Sequence, residues 1–273
     1  NWNTPQTVTV TGVDDLVRDG DIAYHIVLAA AASSDPVYSG MDAADVSATN
    51  LDDDVSGISV TPTAGLVTSE SGATATFTVR LTSQPVADVV IPLSSSDTAE
   101  GSLSPSSLTF TSANWNTPQT VTVTGVDDLV EDGDIPYTIV LGAATSTDPA
   151  YSGTPGSSVA VTNIDNDIAG SSVTPTAGLV TSESGGSASF TAKLTSQPTA
   201  DVVIPISSSN TAEGAVSVAS LTFTTADWNA PQTVTVTGVD DAVTDGDIAY
   251  TIITGAAASS DLRYAGMNPA DVA

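Results

Sequence analysis

One stretch, running from Asn114 to Asp134, occurs three times in the chain, beginning at Asn1, Asn114 and Asp227, and its tryptophans Trp2, Trp115 and Trp228 stand 113 residues apart. A repeat of that length without an insertion constrains the fold strongly. A unit of this size can bury its own core, so the repeats are expected as beads on a string and not as solenoid turns that must cover one another. Residues 1–54 match 114–167, and 168–273 match 55–160. The acidic runs Asp52-Asp53-Asp54 and Asp165-Asn166-Asp167 are the expected boundaries. They give the C-terminal half of a repeat at 1–54, a complete repeat at 55–167 and a nearly complete repeat at 168–273. The start in mid-repeat, with no initiator Met, reads as a segment of a longer polypeptide.

Within the complete repeat the pattern has period two. Ala73, Ala75, Phe77, Val79 and Leu81 alternate with Thr74, Thr76, Thr78 and Arg80, and Val121 and Val123 alternate with Thr120, Thr122 and Thr124. Alternation of this kind describes strands with one buried face, and no segment keeps a helical period. Strands are expected at 57–62, 73–81, 86–93, 107–111, 119–125, 135–142 and 158–163. Seven strands separated by Ser, Asp, Gly and Pro loops predict an all-β fold of tandem antiparallel immunoglobulin-like sandwiches.

An odd strand count sorts the loops. If consecutive strands run up and down, the loops after strands one, three, five and seven share one end, where the chain leaves the sandwich. Those loops carry Glu70, Asp97, Glu100, Asp127, Asp128, Glu131, Asp132, Asp134, Asp165 and Asp167. The loops at the opposite end, 82–85, 112–118 and 143–156, contain one acidic residue, Asp148. The whole chain has 32 acidic residues against Arg18, Arg80, Lys193 and Arg263, a formal charge of −28. Such a balance argues against nucleic acid and anionic membranes as partners, because both are held by Lys and Arg. It also repels itself unless cations neutralise it.

Clustered loop carboxylates suit calcium, which takes about six to eight oxygen ligands in loose geometry, better than magnesium with its strict octahedron. Zinc is disfavoured by the absence of cysteine and by the single imidazole, His25. The competing reading is that Asp serves as a turn former and the acidity keeps the surface soluble. Comparison among copies narrows the set: Glu131 is Arg18 and Thr244 elsewhere, Asp97 becomes Asn210, and Glu70, Glu100, Asp127 and Asp128 recur as Glu183, Glu213, Asp240 and Asp241.

The run Val123 to Asp134, the Glu70-Ser71-Gly72 step, Ser96 to Gly101 and the closing Val161 to Asp167 together resemble the Calx-beta domain. That resemblance implies a seven-stranded calcium-binding sandwich of the kind found in sodium/calcium exchangers, integrin subunits and very large bacterial surface proteins. It places calcium ligands on Glu70, Glu100, Asp97, Asp127, Asp128, Asp165 and Asp167. Their counterparts are Asp14, Asp15, Asp52 and Asp54 in the first copy and Glu183, Glu213, Asp240 and Asp241 in the third. The sequence departs from the family pattern at Glu131-Asp132-Gly133-Asp134, where Glu-Asp-Glu is usual, and at Asn166, which is Asp53 in the first copy.

The expected function is structural: a calcium-binding segment of a bacterial adhesin stalk or surface filament, extracellular or on the cell surface, whose partners are the neighbouring repeats. Trp115 and Tyr151 are expected to pack one repeat against the next, or alternatively to bind host or cell-surface glycans. A further alternative is self-assembly of identical subunits through strand edges. The outward Thr rows could match an ice lattice, but β-propensity explains them better. The chain is not expected to be an enzyme. A lone His25 cannot activate a serine in every copy, and small tandem sandwiches offer no large cleft for a carboxylate pair. The longest apolar run, Ile26 to Ala32, is far below the roughly 20 residues of a membrane span.

Overall fold

The structure, a computed structural model, describes residues 2–244 and 246–273. Its described residues form strands and loops without a helix. The first copy contributes β1 (Ile22–Ile26) and β2 (Val46–Asn50), an antiparallel pair. The complete repeat contributes β3 (Ile58–Thr61), β4 (Leu66–Ser69), β5 (Thr74–Leu81), β6 (Val89–Ser95), β7 (Gly101–Ser104), β8 (Ser107–Phe110), β9 (Gln119–Gly125), β10 (Ile135–Leu141) and β11 (Val159–Ile164). They form two sheets, ordered β3-β5-β9-β7 and β4-β11-β10-β6-β8.

The alternation of the sequence becomes the two faces of this sandwich. Phe77, Val79 and Leu81 of β5 and Val121 and Val123 of β9 point inward, meeting Ile91, Ile139 and Val161 of the facing sheet in one core. Burying one such side chain contributes about 1.5–3 kcal/mol. On the other face Thr74, Thr76 and Thr78 pair with Thr124, Thr122 and Thr120 across the ladder.

Two expectations change. The seven-strand count becomes nine, because the first strand splits into β3 and β4, which lie in different sheets, and β7 adds a short edge. Pro62 has no N–H for the ladder and Gly65 turns the chain at φ +78, so the strand breaks between them. Second, Trp115 and Tyr151 are not presented to a neighbour or to a sugar. Both belong to the core of their own repeat, and the Tyr151 hydroxyl donates to the Ser83 carbonyl at 2.6 Å. That bond, with Val86 N–H to Asp148 at 2.8 Å and Gln84 to the Ser112 carbonyl at 2.9 Å, gathers the loops opposite the acidic end as the loop sorting requires.

The third copy repeats the plan with β12 (Ser171–Thr174), β13 (Ser187–Leu194), β14 (Val202–Ser208), β15 (Gly214–Val216), β16 (Ser220–Phe223), β17 (Gln232–Gly238) and β18 (Ile252–Thr254) around its own core. Here β18 covers three residues where β10 covers seven. A groove of about 790 Å³ runs between Leu179–Glu183 and Ile248–Ile252, with Val272 and Ala273 at its end. In the complete repeat β11 lies between the equivalent elements, β4 and β10.

The chain divides into two compact units. The first comprises Asn1–Thr68, Thr74–Thr124 and Pro136–Thr162; the second comprises Ser69–Ala73, Gly125–Ile135 and Asn163–Ala273. Three acidic loops of the complete repeat thus belong to the second unit.

Candidate metal centre

The site is built where β4, β9 and β11 end. Gly125 closes β9 with its N–H donated to the Ala73 carbonyl at 3.1 Å. No larger residue fits there, since a Cβ would lie 2.2 Å from the Ser69 carbonyl oxygen and 2.5 Å from Asn163 Oδ1. The buried Asn163 amide donates to the Val126 carbonyl at 3.0 Å, and the Glu70 N–H donates to the Ile164 carbonyl at 3.1 Å. The three strand ends are therefore tied before any carboxylate is placed.

On this frame Glu70, Asp165 and Asp167 bring one carboxylate oxygen each within 4.8 Å of one another. Oxygens bound to one calcium at 2.3–2.6 Å lie no more than about 5 Å apart, so the spacing fits a shared ion. Glu70 is 4% exposed and accepts the Asn166 N–H at 3.0 Å. Asp165 accepts Gly133 N–H and Asp167 N–H, both at 2.7 Å, and Gly133 adopts φ +86, a conformation that favours glycine. Asp127 accepts the Asn166 amide at 3.1 Å, and Asp128 accepts Val130 N–H at 2.7 Å.

The electrostatics are those of a cation trap. Burial pushes the Glu70 carboxyl up to about 7; the Asn166 amide opposes this, and the Asp128, Asp165 and Asp167 charges add to it. Burial also raises Asp167, with Asp165 and Asp127 contributing, and raises Asp132, with Asp128 and Asp165 contributing. Asp167 Oδ2 is buried without a hydrogen-bond partner. A buried, unpartnered carboxylate oxygen beside two further carboxylates fits a hard divalent cation, which would supply the missing partner and offset the repulsion.

The first copy reproduces the wiring. Gly20 N–H donates to Asp52 at 2.6 Å, Asp54 N–H to Asp52 at 2.9 Å, Asn50 to the Val13 carbonyl at 2.9 Å and Val17 N–H to Asp15 at 2.8 Å. Asp14, Asp15, Asp52 and Asp54 line one small cavity of about 50 Å³. The Asp54 and Gly20 amides hold Asp52 below the usual carboxylate range, while desolvation and the Asp52 charge raise Asp54. In the third copy Glu183, Asp240 and Asp241 are exposed and Glu213 is half-buried. Asp241 accepts Val243 N–H at 2.7 Å.

Asp97 does not join Glu70, Asp165 and Asp167. It is exposed and closes a turn by accepting Ala99 N–H at 3.0 Å, a bond that Asn210 repeats with Ala212 at 3.2 Å. That explains why Asn can replace it. Conversely, Asp132 feels the charges of Asp128 and Asp165 although the family resemblance does not select it. Its recurrence as Asp19 and Asp245 was the available signal; Asp245 lies outside the described residues.

No protein-family model matches the chain, and no curated protein matches it. Among solved structures it is similar to the calcium-binding domain pair CBD12 of CALX1.1, at 14% identity over 73% of this chain and 80% of that one, with a TM-score of 0.35. CBD12 of CALX1.2 gives 14%, 76%, 82% and 0.33. The Escherichia coli chaperone DraB gives 10%, 80%, 98% and 0.30. Likeness at this level assigns no role to this chain.

Proposed function

We propose that the chain is a calcium-binding structural repeat segment, in which the ion sits at the acidic end of each complete sandwich and stiffens the exit of the chain toward the next repeat. One observation carries this reading: the buried Glu70 stands beside Asp165 and the unpartnered Asp167. Glu70, Asp165 and Asp167 would hold one ion, with the charges of Asp127, Asp128 and Asp132 acting on Asp167 from the neighbouring loop. The bound ion supplies positive charge and oxygen coordination. The chain supplies the frame, since Gly125, Asn163 and Gly133 fix the loops and Asp165 and Asp167 lie in the segment leading to the next repeat. Neutralised, these carboxylates draw that segment onto the Glu70 loop; without the ion they push it away.

The same reading takes 1–54, 55–167 and 168–273 as successive repeats. Their number, the charge of −28 and the absence of cysteine suit a bacterial extracellular stalk or surface filament. No helix among the described residues is long and apolar enough to cross a membrane. The sugar-binding alternative loses its aromatic platform, because Trp115 and Tyr151 are buried. Calcium should raise the thermal midpoint of the chain and lengthen it in small-angle scattering. Equal midpoints and equal lengths in calcium and in chelator would exclude the proposal.

A further inference from the structure

Leu16 and Leu129, at equivalent positions, sit at the tips of the acidic loops, half exposed. Each makes the same backbone bond. The Leu16 carbonyl accepts Gln84 N–H at 2.6 Å within the first compact unit, and the Leu129 carbonyl accepts Gln197 N–H at 2.5 Å within the second. By sequence, each bond joins one repeat to the following one. It uses no side chain, so it is a hook common to both junctions.

Around the hook three positions differ together. At the first junction they are Arg18, Ser56 and Ala150; at the second they are Glu131, Ala169 and Arg263. The Ser56 hydroxyl donates to the Ala150 carbonyl at 2.8 Å, tying the connecting segment to a loop of its own repeat. Ala169 has no hydroxyl. In its place Glu131 reaches from the preceding repeat, accepting Ala169 N–H at 2.6 Å through Oε2 and the Arg263 guanidinium at 3.1 Å through Oε1. One carboxylate therefore replaces a contact that the smaller side chain cannot make, and its charge matches the cation across from it.

We propose that these three positions form a matched lock that decides which repeat can follow which, superimposed on a hook shared by all. The partner of each acidic loop is the opposite end of another repeat, bearing the Gln84/Gln197 loop and a side-chain set complementary to position 18 or 131. A loop with Arg18 accepts a repeat with Ser56 and Ala150. Set against Arg263 it would meet a like charge and leave Ala169 unbound. This inference does not rest on the metal reading, because every contact in it is made by protein groups alone.

The test is hydrogen exchange on the full chain in calcium-free buffer, following segments 127–134 and 195–199, with 14–18 and 82–86 as internal controls. Glu131→Arg, which places the first loop's cation opposite Arg263, should speed exchange in the two test segments about tenfold and leave the controls unchanged. The triple variant E131R/A169S/R263A, which installs the first junction's set at the second, should return exchange to within about twofold of the parent. Arg263→Ala alone should fall between them. All substituted side chains are at the surface or half-buried, and an unchanged circular dichroism spectrum confirms folding. Exchange in Glu131→Arg equal to the parent, or a triple variant as fast as Glu131→Arg, would overturn the lock.

Discussion

Replacing Glu70 by Gln isolates the electrostatic cost of assembling the site. A carboxyl raised from 4.5 to about 7 binds its proton more tightly in the folded chain than in the unfolded one. Stability must therefore fall as pH rises through that interval, and the loss is complete above the folded value. The shift corresponds to at most about 3 kcal/mol at 1.36 kcal/mol per pKa unit, reduced by solvent and counterions at the open side of the site to about 1–2 kcal/mol. Glu70→Gln keeps an acceptor for the Asn166 N–H and removes the charge. In chelator it should be more stable than the parent at pH 8 and equal to it at pH 4. A difference of 1 kcal/mol moves the midpoint of a domain this size by about 4 °C. In saturating calcium at pH 8 the order should reverse, because the variant has lost a ligand. Thermal scans of both proteins at pH 4 and 8, with chelator and with calcium, give all four comparisons. A parent whose metal-free midpoint is no lower at pH 8 than at pH 5, or a variant no more stable than the parent in chelator at pH 8, would refute the reasoning.

Gly125→Ala forces a methyl group against the Ser69 carbonyl and Asn163; it should cost about 1–3 kcal/mol in urea unfolding and weaken calcium binding. Trp115→Ala should cost about 3–5 kcal/mol, whereas Trp2→Ala, at a side chain 95% exposed, should stay within about 0.5 kcal/mol; equal effects would contradict the placement of Trp115 in the core.

Much of the fold was legible because alternation of apolar and Thr residues dictates faces directly: Phe77, Val79, Val121 and Val123 occupy the core that their spacing implies. The split of the first strand was not, since Pro62 and Gly65 break a ladder without saying which sheet receives the next segment. Trp115 and Tyr151 were misplaced for a related reason. Both lie in loops by sequence, but the loops fold inward and Ser83 satisfies the Tyr151 hydroxyl from a distant segment. At the site, up-and-down strand order was enough to bring Glu70 to Asp165 and Asp167. Asp97 closes its own turn, and an Asp that does so has the same one-residue signature as an Asp that faces a cluster of carboxylates. Glu131, which varies among the copies, bonds Ala169 N–H and Arg263, contacts that its variation alone did not reveal.

The central claim is that Glu70, Asp165 and Asp167 together hold calcium, and calorimetric titration of the parent and Asp167→Asn at pH 7 tests it most directly. The parent should bind calcium and release protons, because Glu70, raised to about 7, is about half protonated there. Asp167→Asn should lose at least one bound ion and most of the proton release. Absence of binding heat in the parent, or identical stoichiometry and proton release in the variant, would contradict the account.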